Sequence, residues 1–378
     1  MFKNIPFDRV EWITFFFLSG TLITSLTAVP WYIITFGIDW FQVAMFLFFC
    51  CATGLSITMG YHRLFSHLSF KAKWPVRLFV TLFGAAAWEN SIMDWCSDHR
   101  RHHKHVDHDD DPYNINKGFF YAHVGWLLFK LKPEPPQDNI NDLRKDPMVV
   151  WQHNYIHLIA FVVGFVLPTA IGYAYYGTWI GALGTFLIAG VLRTVVVQHA
   201  TFFINSACHY VGNQPYSTKH SARDSWFMAL FTFGEGYHNY HHEFQHDYRN
   251  GVKPWQFDPT KWTIYVLSKI GLTSHLREVS DAKILLAELT EARNRIEHGL
   301  APYKLQPALR EQLSHNIQLT LDRLHDAQED FATKYYQLEK SVRDRVEFSK
   351  SKVNELRREV RATLEHLEKL PGVQPIAI

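Results

Sequence analysis

Long apolar stretches alternate with polar, histidine-bearing ones through most of this chain. Apolar runs occupy residues 12–29, 40–60, 149–174 and 179–204. Each approaches the ~20 residues that an α-helix needs to cross a bilayer. The first two runs are joined by PWYIITFGID and the last two by AYYGTW, neither containing Lys or Arg. The N-terminal stretch holds Lys3 and Arg9. The segment between the second and third runs holds Arg63, Lys71, Lys73, Arg77, Arg100, Arg101, Lys104, Lys130 and Lys132. Lys and Arg are enriched in cytoplasmic loops. The pattern therefore predicts two membrane hairpins with short outer turns, and with both termini and the central segment cytoplasmic. Asp8 and Glu11 flank Arg9 where a secretory leader would be basic, so no cleavable leader is expected. The expected fold class is an all-α integral membrane protein with four transmembrane helices in two hairpins beneath a cytoplasmic cap.

Two shorter segments, VRLFVTLFGAAAW (76–88) and GFFYAHVGWLLFKLK (118–132), suit helices lying on the bilayer surface. Beyond residue 277 the pattern changes. A helix is expected at about 280–297, and HGLAPYKLQP (298–307) interrupts it. Apolar positions then recur in four–three steps at Ile317, Leu321, Leu324, Phe331, Tyr335, Leu338 and Val342, with Gln328 filling one slot. After a slip they resume at Val353, Leu356, Val360, Leu364 and Leu367. That stripe is coiled-coil-like with one stutter. Residues 1–277 are thus expected to form a membrane domain. Residues 278–378 are expected to form a helical extension that packs on itself, self-associates or docks a partner protein.

Composition changes this picture little. The net charge of +2 gives no nucleic-acid signature. The four cysteines, Cys50, Cys51, Cys96 and Cys208, show no CxxC and no disulfide spacing. They fit packing roles in a reduced compartment.

The chemistry lies in the histidines. Three clusters read HRLFSH (His62, His67), HRRHH (His99, His102, His103) and HNYHH (His238, His241, His242), and NSACH adds Asn205 and His209. All lie at the cytoplasmic ends of runs or in cytoplasmic segments, so four segments can converge beside the membrane. Residues three or four apart share a helix face, which suits the second and third clusters and the Asn205–His209 pair. His62 and His67 are five apart, roughly 140° around an ideal helix, and need a helix end or bend. Imidazole suits iron, zinc and copper. A single zinc takes three or four protein ligands, so nine histidines are better accounted for by two adjacent metals. Nitrogen-rich sites with open positions suit iron and dioxygen chemistry. A metal transporter would place its ligands along a path at mid-membrane; here they cluster on one side. Among the oxidations such a centre performs, the clusters alone leave a di-iron hydroxylase or alkane monooxygenase open.

GYHRLFSH, DWCSDHRRHHKH, KGFFYAHVGWLLFK, NSACHYVG and GEGYHNYHHEFQHDY, in this order over residues 10–275, resemble the membrane fatty-acyl desaturases, specifically the acyl-CoA delta-9 (stearoyl-CoA-type) branch. The resemblance does not cover the C-terminal extension. It implies two irons held by His62, His67, His99, His102, His103, His209, His238, His241 and His242, with Asn205 acting through a bound water. It implies O2 as co-substrate and conversion of a saturated acyl chain to a cis-monounsaturated product, with a fatty acyl-CoA as substrate. The branch tends toward Arg where Ser97 stands and toward Arg-Lys within Phe129, Lys130, Leu131 and Lys132. These departures leave a phospholipid or carrier-protein acyl chain open. Lys117, Lys130, Lys132 and Arg193 are candidates for meeting the substrate head, with Arg77 and Arg223 as further basic residues. Cys50 and Gly54, one turn apart on the second run, are candidates for the end of the acyl tunnel. No haem signature and no flavin or nicotinamide fingerprint is present. Electrons are therefore expected from a separate donor, a ferredoxin-like or cytochrome b-type protein with its reductase. The expected location is a multi-pass membrane site, preferably a bacterial inner membrane rather than the endoplasmic reticulum.

Overall fold

The computed structural model describes residues 9–129 and 136–300, with residues 322 and 326 beyond them. The coiled-coil-like stripe at 317–367 lies outside the described residues, as do Lys130 and Lys132. The fold is all-α, apart from a two-residue antiparallel pair, Lys71–Ala72 with Thr273–Ser274. Two compact units are present: Met1–Gly212 with Ser221–Glu278, and Asn213–His220 with the chain from Val279 onward.

Four helices in the first unit are long and apolar enough to cross a membrane: Trp12–Phe36, Trp40–Ser66, Ile156–Tyr176 and Trp179–His209. They coincide with the four apolar runs, with two differences. The first helix, α1 (Trp12–Phe36), runs straight through Pro30 and stops only at Gly37. PWYIITFGID is therefore mostly helix rather than connection, as membrane helices tolerate Pro inside them. The third run is split: a short helix, Pro147–Asn154, ends at Tyr155 before the span begins. Apolar side chains such as Ile13 and Ile34 stand more than four-fifths exposed on α1, as befits a lipid-facing surface.

Local chemistry sets the turns. Asp39 accepts hydrogen bonds from the Phe41 and Gln42 amides, and the Asp39 amide donates to the Gln42 side-chain oxygen. This reciprocal cap starts α2 (Trp40–Leu55). Gly177, in the left-handed region at φ 64°, closes the second hairpin. Small residues let spans approach closely. A methyl group at Gly184 would collide with Tyr32, and one at Gly172 with Thr185.

Beyond Leu55 the second span continues as a π-helix over Ser56–Ser66, every residue of it buried. Shorter π-segments interrupt the third and fourth spans at Val162–Val166 and Phe186–Leu192. After the second span come α3 (Trp74–Ala85) and α4 (Ile92–His105), the latter capped by Ser91. The fourth span ends in α5 (Arg193–Asn205) and a tight turn, Ala207–His209. A short helix, α6 (His238–Glu243), and α7 (Pro259–Lys269) complete the cap. Ile57, Tyr61, Phe65, Ile92, Cys96, Val197 and Ile264 form its apolar core. That core joins the histidine-bearing ends of the second and fourth spans to α4 and α7, and so fixes the platform from which the histidines project.

Candidate metal centre

The histidine clusters arrive on different backbone geometries. His99, His102 and His103 share one face of α4, and His238, His241 and His242 share α6. His62 and His67 are brought together by the π-helix: the His67 amide donates to the His62 carbonyl at 3.0 Å, a bond between residues five apart. π-Turns are rare and concentrate at functional sites. The expected bend is thus a change of helical pitch. Asn205 closes α5 while His209 sits on the following tight turn, so this pair does not share one continuous helix.

The nine imidazoles separate into two groups. His62, His67, His99, His103 and His241 form one; His102, His209, His238 and His242 form the other. Within each group one ring nitrogen per residue lies within 4.8 Å of all the others. The closest Nε2 pairs are His67–His99 at 2.8 Å, His62–His241 at 2.9 Å and His103–His241 at 3.0 Å in the first group. In the second, His238 lies 3.1 Å from both His209 and His242. His102 lies 3.2 Å from His242.

These distances fit metal coordination. With metal–nitrogen bonds of about 2.1 Å, two ligands at right angles stand about 3 Å apart. Several rings also have their far nitrogen engaged. His62 Nδ1 stands 2.9 Å from Glu235, and His102 Nδ1 is 2.9 Å from Asp111. His209 Nδ1 is 2.7 Å from the Ser221 hydroxyl, and the Tyr113 hydroxyl is 3.3 Å from His99 Nδ1. A ring that gives its Nδ1 proton to an oxygen presents a bare lone pair at Nε2. Lone pairs facing one another at 3 Å repel unless a cation lies between them. The donor sets therefore suit two metal ions.

Electrostatics favours the same state. Burial first, then repulsion from neighbouring imidazoles, pushes His67, His99, His238, His241 and His242 well below the ordinary histidine range. They stay neutral, the form that binds metals. Glu235 is fully buried, which alone would raise it. The charges and hydrogen bonds of His62 and Arg63 outweigh that and lower its carboxyl to about 2. Arg63 itself spans Glu235, Asp258 and the Tyr248 carbonyl, at 2.8, 3.1 and 2.7 Å. Trp95 stacks on His99 with centroids 4.8 Å apart and covers the first group.

A match to the fatty acid desaturase model runs over residues 38–264, enclosing all three histidine clusters and His209. The chain belongs to the fatty acid desaturase family. Acyl-CoA desaturase 1 of Saccharomyces cerevisiae is 39% identical to it over 296 residues, covering 77% of this chain and 58% of the yeast protein. A probable acyl-CoA desaturase of Schizosaccharomyces pombe is 45% identical over 233 residues, 61% of this chain and 48% of that protein. A delta(9)-fatty-acid desaturase of Caenorhabditis elegans is 36% identical over 288 residues, 74% and 83% of the two chains. The chain spans about half the length of the two yeast relatives.

The desaturase-family residues expected from sequence are thus placed as follows. All nine histidines converge, and Asn205 stands half-buried at the end of α5. Arg193 is wholly buried and donates to the carbonyls of Ala86, Gly164 and Ala189 at 2.6, 2.9 and 3.2 Å, so it faces the bundle interior. Lys117 is exposed and lies over the Tyr121 ring. Arg77 pairs with Asp146. Cys50 is half-buried, and the space beside Gly54 is taken by the Phe233 ring. Asp111, Ser221, Trp95 and Tyr113 are additions that no sequence pattern singles out, because their partners are brought near only by folding. Glu235, three residues before His238 and thus on the edge of a cluster, carries the one hint that spacing could supply.

Proposed function

We propose that this chain desaturates a long-chain saturated acyl group, most simply an acyl-CoA at its delta-9 position, at a centre of two irons. The observation that carries the reading is the division of nine imidazoles into two metal-sized groups at the inner ends of the second and fourth spans. Iron bound there would supply the activation of O2 that removes two hydrogens. The balance is one saturated chain, O2, two electrons and two protons, giving one cis-unsaturated chain and two waters. The electrons come from a separate ferredoxin-like or cytochrome b-type donor.

The protein's own contributions are positional. Glu235 and Asp111 orient His62 and His102. Trp95 and Tyr113 lie against the histidines and shield them from water. The apolar bundle interior along the second span receives the methyl end of the chain, toward Cys50 and Gly54, with the Phe233 ring closing the space beside Gly54. Lys117, exposed, and Arg223, half-buried, are described cations available to meet phosphates of the substrate head; Arg193, already satisfied by three carbonyls, ties the bundle together. We place both termini and the centre on the cytoplasmic side. The yeast relatives favour an endoplasmic reticulum membrane over the bacterial inner membrane expected from sequence.

The test is expression in a host lacking its own desaturase, followed by double-bond mapping of total fatty acids and iron analysis of purified protein. The reading expects a delta-9 product with two irons per chain, and loss of product in His241→Ala. A product that has gained oxygen would establish the hydroxylase alternative instead. Stoichiometric zinc without oxidised product would remove the redox reading altogether.

A further inference from the structure

The acidic loop after α4, residues 107–111 (DHDDD), has no part in the histidine clusters, yet two of its carboxylates reach the four-histidine group by different routes. Asp111 is buried and meets His102 Nδ1 directly. Asp107 works at one remove. Its Oδ1 accepts from the Ser221 hydroxyl at 2.5 Å and its Oδ2 from the Ser221 amide at 2.6 Å. The same Ser221 oxygen lies 2.7 Å from His209 Nδ1. A hydroxyl has one proton and two lone pairs. With its proton given to Asp107, Ser221 Oγ accepts the Nδ1 proton of His209, and the His209 lone pair is fixed at Nε2, toward the group.

The loop is shaped for this. Asp107 sits in the left-handed region at φ 65°, which Asp tolerates better than most residues. Its own amide donates to Asp111 at 3.1 Å, and its carbonyl accepts from Asn116 at 3.0 Å. The two carboxylates are therefore held in one frame, and each backs a histidine of the same group. The five-histidine group has a different support, Glu235 with Arg63. Asp111 also accepts from the Tyr113 amide, whose hydroxyl meets His99 of the five-histidine group, whereas the Ser221–Asp107 route ends on His209.

We propose that Ser221 and Asp107 are positioning residues for His209, a relay that fixes the ring for the metal of the four-histidine group and leaves the five-histidine group untouched. This rests on the reading of the nine histidines as a two-metal centre. Both residues are only half-buried, so substitutions there need not unfold the protein. Removing such a support lowers metal affinity about 10–100-fold.

The test uses the full-length protein loaded with ferrous iron, titrated with a ferrous chelator and examined by Mössbauer spectroscopy. Ser221→Ala is expected to lose one iron of two about 10–100-fold more readily, with one quadrupole doublet changed and the other kept. Ser221→Thr, which retains the hydroxyl, is expected to restore both. Asp107→Asn can still accept the hydroxyl proton but carries no charge, and is expected to fall between. Combining it with Ser221→Ala should add nothing, as befits two members of one relay. Wild-type retention and an unchanged spectrum in Ser221→Ala overturn the relay while leaving the two-metal reading standing. So does equal weakening of both irons, which marks a general loss of structure. A wild-type chain that holds no iron overturns both.

Discussion

Glu235→Gln isolates the support of the five-histidine group. The glutamine has the same shape but no charge. In the native protein Glu235 takes His62 Nδ1 at 2.9 Å, Arg63 at 2.8 Å and the Asn250 amide group at 2.6 Å. Arg63 keeps Asp258 and the Tyr248 carbonyl, so the substitution does not strand a buried cation. The carboxyl falls from 4.5 to about 2 on folding. Part of that fall requires a charge on His62, which a metal-bound ring lacks, so at ~1.4 kcal/mol per unit the stabilisation is at most about 3 kcal/mol, with Arg63 supplying the remainder. Because the folded value is depressed, that contribution is complete above pH 4.5 and is lost as pH falls through about 2. At neutral pH the variant should therefore be less stable by up to ~3 kcal/mol, the amide recovering part through its remaining hydrogen bonds. The gap from wild type should be flat from pH 6 to 8 and narrow only in acid. His62, no longer facing an anion, should release iron about 10–100-fold more easily. Chelator titration and unfolding in detergent measure the two effects. A variant that holds iron as tightly as wild type would refute the claim that Glu235 orients His62.

Three further outcomes are expected. Burial pushes the Glu89 carboxyl up to about 8 against contacts with Thr201 and Trp95, so it is protonated when folded. Its contribution is complete below pH 4.5 and lost as pH rises through about 8. Thermal unfolding should show stability declining across that window in wild type and less so in Glu89→Gln. Gly54→Leu places its side chain on Phe233; if this region ends the acyl tunnel, product analysis will show preference moving to shorter chains with iron retained, and an unchanged profile in both Gly54→Leu and Cys50→Tyr removes the idea. Truncation after residue 277 keeps every histidine of both groups, so iron content should persist while self-association changes; a folded truncation that binds no iron refutes the proposed division.

Apolar run length was enough to find the spans, because a bilayer demands it of any helix that crosses. The three- and four-residue spacing likewise found the faces of α4 and α6. Spacing showed that His62–His67 departs from an ideal helix but not in what way, since nothing in HRLFSH announces a change of pitch. Pro30 looked like the end of α1 because its missing amide matters more in water than in a packed membrane helix. Arg193 could be placed in a span but not matched to its partners, which are main-chain carbonyls carried by other elements. The same holds for Asp107, Asp111 and Ser221: a carboxylate's use depends on what folding sets beside it.

The segment Asn213–His220 lies between His209 and Ser221 in the chain, yet it belongs to the unit formed from Val279 onward. There the Thr218 amide donates to Glu291 at 3.1 Å, and Arg295 donates to the Gln214 carbonyl. A ribosome releases this loop well before the helix Asp281–Leu300 exists. Throughout the synthesis of Ser221–Glu278 its future partners are still unmade. The stretch joining two residues of the histidine apparatus therefore cannot take these contacts until the chain beyond Val279 has been made.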